Sequence, residues 1–323
     1  MKRYQETWIK GRPQQGTEFQ RECAPRYEPI KKVLENYKRP FSVLDIGANM
    51  GYFSFRIAED FPHATVIMMD NKKDLLELSI ANELANVVML PVHLTGADLG
   101  VFAKCESIDV VLALNVLHHF DDWQAGLAAI LEMGENIIIE TPGSGDTNAR
   151  NPQMHEELYA ILNNQPHELI FESESHVSTA KRYMMRFEMP ANRISMQTLD
   201  AKHRGAPALG SVVITSNYEE KNVIIQHLGR TPNVEMRKFF SGMNLWNWKL
   251  LRGCWPLDIP QRVIRGVEGI KGWHDDLRPW NFVLSGADCV PIDIRTKSWK
   301  TEPEENGVQE CLRLLGYETA NTP

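Results

Sequence analysis

The stretch VLDIGANMGYFS, residues 43–54, runs an apolar segment into a glycine turn and then into the start of a helix. Phe41–Ile46 is a short buried-type strand, and Asp45 stands at its end. Gly47 and Gly51 frame the turn that follows. Glycine suits such a turn because the backbone takes angles other residues avoid, and because a ligand can approach a main chain that carries no Cβ. Beyond it, Phe53, Ile57 and Phe61 recur at i, i+4 and i+8, a helical stripe over 52–61. Asp70 closes the next apolar run, Ala64–Met69, nineteen residues after Gly51. An acid at that place can accept hydrogen bonds from ribose hydroxyls. The glycine spacing is Gly-x-x-x-Gly rather than the Gly-x-Gly-x-x-Gly of dinucleotide sites, which favours a nucleoside over a pyrophosphate-bearing ligand such as NAD. Asp45 is either a structural acid tying the loop or a direct ligand contact, and an isolated turn of this composition can also be only a turn.

Outward from that stretch, strands alternate with helices. Expected strands are 64–69, 86–90, 108–114 and 136–140, with helices over 72–84 and 123–133. Strands this apolar are covered on both faces, as in a parallel sheet between helical layers. The fold class is therefore α/β, a doubly wound Rossmann-like sheet, with ligands expected beyond the carboxyl ends of the strands. Segments 168–172 and 182–189, joined by a polar stretch, read as a hairpin closing the sheet into seven strands.

VLDIGANMGYFS resembles the first motif of the class I S-adenosylmethionine-dependent methyltransferases, and Asp70 falls at their ribose-binding acid. ALNVLHHFDDW (113–123) resembles the segment where their fourth strand passes the methyl donor, and SESHVSTAKRYMMRFE (173–188) their last two strands. The resemblance covers about residues 25–190. It implies S-adenosyl-L-methionine as cofactor, with Gly47 and Gly51 beside its methionine portion, Asp70 on the ribose and Asp98 near the adenine. Asp45, Ala48, Asn49, Asn71 and Asn115 complete the expected donor contacts. The loop LPVHLTGADL (90–99) departs from the commoner Gly-Asp-Ala pattern, and NVLH lacks the Asn-Pro-Pro-aromatic tetrad of enzymes that methylate amino groups of DNA bases.

The chemistry needs alignment more than a fixed catalytic group, because the donor's methyl is already activated. In-line positioning can supply ~7–11 kcal/mol of the barrier. A base helps when the acceptor is a hydroxyl, and His118 and His119, just after the fourth strand, are the catalytic candidates. The other reading of this pair is a capped turn ahead of a helix begun by Asp121 and Asp122. The N-terminal arm, with Trp8, Phe19, Arg26 and Tyr27, is expected either as a lid over the acceptor or as packing at the sheet edge.

The chain has 323 residues, 43% of them hydrophobic and 24% charged, enough for one large domain or two ordinary ones. No run of eighteen apolar residues and no apolar leader is present, which points to a cytoplasmic protein and to no membrane partner. Five scattered cysteines without a C-x-x-C read as free thiols rather than a zinc site. Residues 1–190 hold 18 Lys+Arg against 27 Asp+Glu, a net of −9 that argues against a nucleic-acid partner, whereas 191–323 hold 17 against 15, a net of +2.

Character changes after Pro190, so the expected division is 1–190, a donor-binding domain with its N-terminal lid, and 191–323, a smaller α+β domain. Within the latter, GWHDDLRPWNFVLSGADCVPIDI (272–294) places His274, Asp276, Leu277 and Asn281 in the spacing of the kinase catalytic loop. By that resemblance Asp276 faces an acceptor hydroxyl while Asn281 and Asp293 hold magnesium. No glycine-rich nucleotide loop accompanies it, and Lys221 is the one remnant of a phosphate-binding lysine. The segment reads as a degenerate fragment for acceptor binding or structure, an active phosphotransferase, or coincidence. The leading expectation is a methyltransferase for a small-molecule or saccharide acceptor, in a chain that can form homo-oligomers. A bifunctional methyltransferase–kinase, an RNA methyltransferase and a non-catalytic S-adenosylmethionine-binding protein are the competing readings.

Overall fold

The computed structural model describes residues 3–14, 18–93, 95–144, 151–175, 180–189, 209–216, 218–227, 233–238, 240–251, 253, 259–269, 277–292 and 305–317. Its centre is a seven-stranded sheet of β1 (Phe41–Ile46), β2 (Ala64–Met69), β3 (Val87–Leu90), β4 (Ile108–Leu114), β5 (Gly134–Pro142), β6 (Glu168–Glu174) and β7 (Lys181–Glu188). Across the sheet the order is 3-2-1-4-5-7-6. The first five strands are parallel, and β7 runs antiparallel between β5 and β6. This is a doubly wound Rossmann-like sheet of seven strands, and the expected hairpin closes its edge.

Alternation along the strands explains the two cores. On β1, Phe41 and Val43 face a layer made by α1 (Ala24–Leu34), α2 (Tyr52–Asp60) and α3 (Lys73–Asn82), while Leu44 and Ile46 face α4 (Gly96–Cys105), α5 (Trp123–Met133) and α6 (Pro152–Asn163). Because the period of a strand is two, each of the central strands is apolar on both sides. The sequence reading missed α1, α4 and α6, whose stripes are broken by Pro29, by Gly100 and by short polar flanks.

After the hairpin come an antiparallel sheet of β8 (Leu209–Ser216), β9 (Lys221–His227) and β10 (Asn233–Lys238), then α7 (Leu245–Leu250), α8 (Ile259–Glu268), the ribbon β11 (Phe282–Ser285) with β12 (Asp288–Pro291), and α9 (Glu305–Leu315). The apolar runs at 211–215 and 222–227 predict a strand pair, and the sheet holds that pair and a third strand. Met243, Leu245, Phe282, Leu284 and Cys289 are fully buried and belong to the same core as α4, α5 and α6. Burying side chains of this size stabilises by roughly 1.5–3 kcal/mol each. The described C-terminal residues also seal the amino end of the sheet. There, Asp109 at the start of β4 is buried among Ser42, Ser241, Arg39 at 2.7 Å and Lys221 at 3.2 Å, and Lys221 also reaches Glu135 at 2.6 Å. Burial opposes ionisation of Asp109, but the Lys221 and Arg39 cations prevail and hold its carboxyl well below the usual range.

Candidate functional site

The carboxyl ends of β1, β2 and β4 open into a cavity of about 720 Å³. Of the expected donor residues, Asp45, Gly47, Asn49, Asp70, Asn71 and Asn115 line it, as do both His118 and His119. Strand order explains the gathering. In a doubly wound sheet the chain leaves β1 and β4 in opposite directions, and a crevice forms between the departing loops.

The loop after β1 is shaped by its glycines in different ways. Gly47 has φ +73°, and a Cβ there would lie 2.5 Å from Val116 Cγ2, across the crevice. Gly51 has φ +74° and caps α2, but its missing Cβ makes room for Phe55 and Leu75 rather than for the cavity. Ala48 is likewise buried under the loop. Gly51 and Ala48, expected beside the ligand, are not among the described residues that line the cavity. Asp98, expected near the adenine, is not among them either. Its carboxylate forms a capping box with Thr95 at the start of α4, where it is exposed. A short acid three residues after a threonine satisfies orphan helix N–H groups, and that is the contact Asp98 makes here.

Two acids mark the donor side. Asp45 is buried and accepts a hydrogen bond from Ser54 Oγ at 2.6 Å. Burial pushes its carboxyl up to about 6; the Ser54 bond pulls the other way, and the nearby Asp70 charge adds to the rise. Asp70 accepts from the Asn49 amide at 2.8 Å and from the Lys72 amide at 3.0 Å, so it holds the glycine loop in place. Each carboxylate oxygen keeps acceptor capacity beyond one such bond.

Other lining residues carry no recognisable sequence pattern. Tyr4 and Gln5 of the N-terminal arm line the cavity. The arm does reach the site, but not through Trp8, Phe19, Arg26 or Tyr27. Trp8 donates to Glu59 at 2.7 Å on the outer side of α2, and Tyr27 donates to Asp60 at 2.9 Å. Strand Arg3–Gln5 pairs with Phe19–Arg21, and Gln5 accepts from the Met50 amide at 3.2 Å. Arg21 at 2.5 Å and Arg26 clamp the buried Glu140 at the end of β5. Burial works against that carboxylate, yet the Arg26 and Arg21 charges hold it at about 2. Arg21 also donates to the Tyr4 hydroxyl at 3.1 Å, as does Asn115 Nδ2 at 3.1 Å, and Arg182 on β7 donates to Asn115 Oδ1 at 2.8 Å. These partners fix Asn115, which sits at φ +61° where β4 ends.

His118 and His119 lie on a 3-10 turn, Leu117–His119, with ring centroids 4.0 Å apart. His155 of α6, unforeseen from sequence, joins the cavity wall with its ring 5.2 Å from that of His118. Asp122 precedes α5 as expected, but its carboxylate accepts from the Gly96 and Ala97 amides at the head of α4. Among the described residues no group of three or more His, Cys, Asp or Glu could hold a metal ion, and no helix is long and apolar enough to cross a membrane.

Among the described residues none after Arg182 lines the cavity. The described residues of the C-terminal part pack against the sheet and seal its amino end. His274, Asp276 and Asp293 of the kinase-like segment lie outside the described residues. Asn281 is described and buried, in the turn Pro279–Asn281 before β11. Lys221, read as a remnant phosphate-binding lysine, is instead enclosed between Asp109 and Glu135 at the end of the sheet opposite the cavity.

Residues 44–133 match the family model described as a methyltransferase domain, a family whose cofactor is S-adenosylmethionine. A tRNA U34 carboxymethyltransferase of Desulfotalea psychrophila (strain LSv54 / DSM 12343) is 27% identical over 122 residues, covering 36% of this chain. The alignment spans 37% of that relative's length. Among solved structures, the bifunctional kinase-methyltransferase WbdD is 17% identical with a TM-score of 0.48, over 98% of this chain and 84% of that one. The N-methyltransferase NodS from Bradyrhizobium japonicum WM9, in complex with S-adenosyl-L-homocysteine, is 13% identical with a TM-score of 0.40, over 52% of this chain and 87% of that one.

Proposed function

We propose that this protein is an S-adenosylmethionine-dependent methyltransferase acting on a small-molecule or saccharide acceptor. The observation that carries the reading is one cavity lined both by the turn at Gly47, Asp45 and Asp70 and by His118, His119, His155 and Arg182. The volume suits a nucleoside with its amino-acid tail beside a small acceptor group.

In this reading the Gly47 turn lies along the methionine portion, Asp70 accepts from the ribose and Asp45 faces the cationic tail. When bound, the cofactor supplies a sulfonium methyl that needs no further activation. The chain's own work is to bind, orient and exclude water. Tyr4 and Gln5 close the site from the arm, and Asn115, held from both sides, sets the floor where the acceptor meets the donor. The imidazoles and Arg182 suit an acceptor rich in oxygen, such as a sugar or its phosphorylated form.

The test is calorimetry with S-adenosylmethionine, S-adenosylhomocysteine and NAD, followed by transfer of a radiolabelled methyl into fractionated cell extract. Binding of the first two and not of NAD, with label entering a low-molecular-weight or glycan fraction, is expected. Tight binding with no label in any fraction would favour a sensor, and label in RNA would redirect the acceptor class.

A further inference from the structure

Resting on that methyltransferase reading, we infer that Asn115 is a positioning residue. It docks the tip of the N-terminal arm, through Tyr4, onto the end of β4, and undocking of this tip sets how fast the donor leaves. Asn115 follows β4, is half-buried and lines the cavity. Its backbone is left-handed, at φ +61°. Glycine and asparagine are the residues that enter that region most readily, and of the two only asparagine brings hydrogen bonds of its own.

The direction of those bonds follows from the partners. An arginine side chain can only donate. Arg182 Nη1 therefore meets the Asn115 carbonyl oxygen, at 2.8 Å, and Asn115 Nδ2 faces the arm, where it donates to the Tyr4 hydroxyl oxygen at 3.1 Å. The same oxygen accepts from Arg21 Nη1 at 3.1 Å. Arg21 reaches the Glu140 carboxylate at 2.5 Å, and the Glu140 carbonyl oxygen accepts from the Asn115 amide at 3.0 Å. Asn115, Tyr4, Arg21 and Glu140 thus close a ring that joins β4, the arm and β5.

The arm is held differently along its length. At one root, Trp8 and the Gly11 amide both donate to Glu59 of α2, at 2.7 and 2.8 Å, and the Lys10 amide donates to Asn82 of α3 at 2.9 Å. At the other root, Arg21 and Arg26 share the buried Glu140. The tip, Arg3–Gln5, reaches the cavity loops through uncharged bonds, Tyr4 to Asn115 and Gln5 to the Met50 amide at 3.2 Å. An uncharged bond contributes less than the breaking of a buried ion pair costs, so the tip opens while the roots hold. Such local opening takes far less free energy than unfolding. Met50 belongs to the loop after β1 and Asn115 follows β4, so the docked tip joins the two loops between which the crevice forms. A donor seated there is released when the tip lifts.

The experiment is stopped-flow release of S-adenosylhomocysteine from the full chain, in the wild type, Asn115→Gly, Tyr4→Phe and the double variant. Glycine keeps the left-handed backbone and removes the amide; phenylalanine keeps the ring and removes the hydroxyl. Each single variant is expected to speed release by about threefold to tenfold. The double variant is expected to fall well short of the product of the two, because both remove one shared bond. With no ligand present, amide hydrogen exchange in Asn115→Gly is expected to quicken at Arg3–Gln5 and not at Trp8–Gly11, whereas a general loosening would quicken both. Release rates that multiply in the double variant would overturn the inference, as would tip exchange that does not move. Tyr4→Phe and Gln5→Ala read the same opening from the arm without touching β4, and unaltered release in both would overturn it on their own. A wild type that binds no S-adenosylhomocysteine would instead remove the methyltransferase reading, and tip exchange in Asn115→Gly would still decide whether Asn115 docks the arm.

Discussion

At the carboxyl end of the central sheet, Asp45 is buried with a serine for company and the strands open into a cavity. At the amino end, Asp109 is buried to the same depth, yet Arg39 and Lys221 stand against it and the C-terminal segment closes over it. Burying a lone charge costs several kcal/mol, and an ion pair recovers that cost only with good geometry. The sealed end meets the condition within the chain. Asp45, by contrast, forms no ion pair among the described residues and sits with its carboxyl raised to about 6. Under the proposed function, a buried carboxylate with no cation beside it among the described residues suits a ligand with an ammonium tail. Glu140 shows that the cavity end can pair its acids too: Arg21 and Arg26 take it over, and its role is to pin the arm rather than to meet a ligand.

The comparison breaks most visibly at Lys221. Lys221→Met leaves the buried Asp109 with a diminished counter-charge, and removing one partner of such a pair costs roughly 3–5 kcal/mol. A urea titration is expected to show that loss, while S-adenosylhomocysteine affinity in the surviving folded fraction stays within about twofold. Loss of affinity with stability intact would mean that the sealed end communicates with the site.

Asp45→Asn is the converse. Because the folded protein holds this proton more tightly than the unfolded chain, the charged form is penalised: Asp45 costs least below about pH 4 and its full penalty applies above about pH 6. A rise of about two pKa units corresponds to about 3 kcal/mol. The substitution is expected to raise stability at pH 7 by up to that amount and to leave it little changed at pH 4. Binding is expected to move the other way, since the cationic tail loses its carboxylate. In the wild type, affinity is expected to weaken as pH falls below about 6. A pH-independent affinity would assign Asp45 to the loop alone.

How much of this was legible beforehand follows the same divide. The apolar runs of β1, β2 and β4 announce themselves because both faces are buried, and Gly47 and Asp70 are readable because a tight turn and a strand-end acid are local features. Asp98 reads two ways, because its spacing from Thr95 is also the spacing of a helix-capping box, and that box is present. His155, Arg182 and Tyr4 were illegible for a different reason. Each is a single polar residue in an ordinary helix or strand, and only the closure of α6, β7 and the arm around the crevice gives it a role. The Asp109–Lys221 pair joins residues 112 apart in sequence, a coupling no local pattern reports.

The subtlest contrast lies inside the cavity wall itself, at Asp70, which both holds the loop and is assigned the ribose. Asp70→Ala is expected to weaken S-adenosylhomocysteine binding about tenfold, or about 1.4 kcal/mol. That figure alone cannot separate the roles, since losing the bonds to the Asn49 and Lys72 amides also loosens the turn. A ligand lacking both ribose hydroxyls makes the separation. If Asp70 grips the sugar, the deoxygenated ligand binds the wild type weakly and loses little more on Asp70→Ala. If it only braces the loop, both ligands lose the same tenfold. A double-mutant-style cycle over two proteins and two ligands therefore reads the ribose contact directly, and a coupling near zero would confine Asp70 to the architecture of the turn.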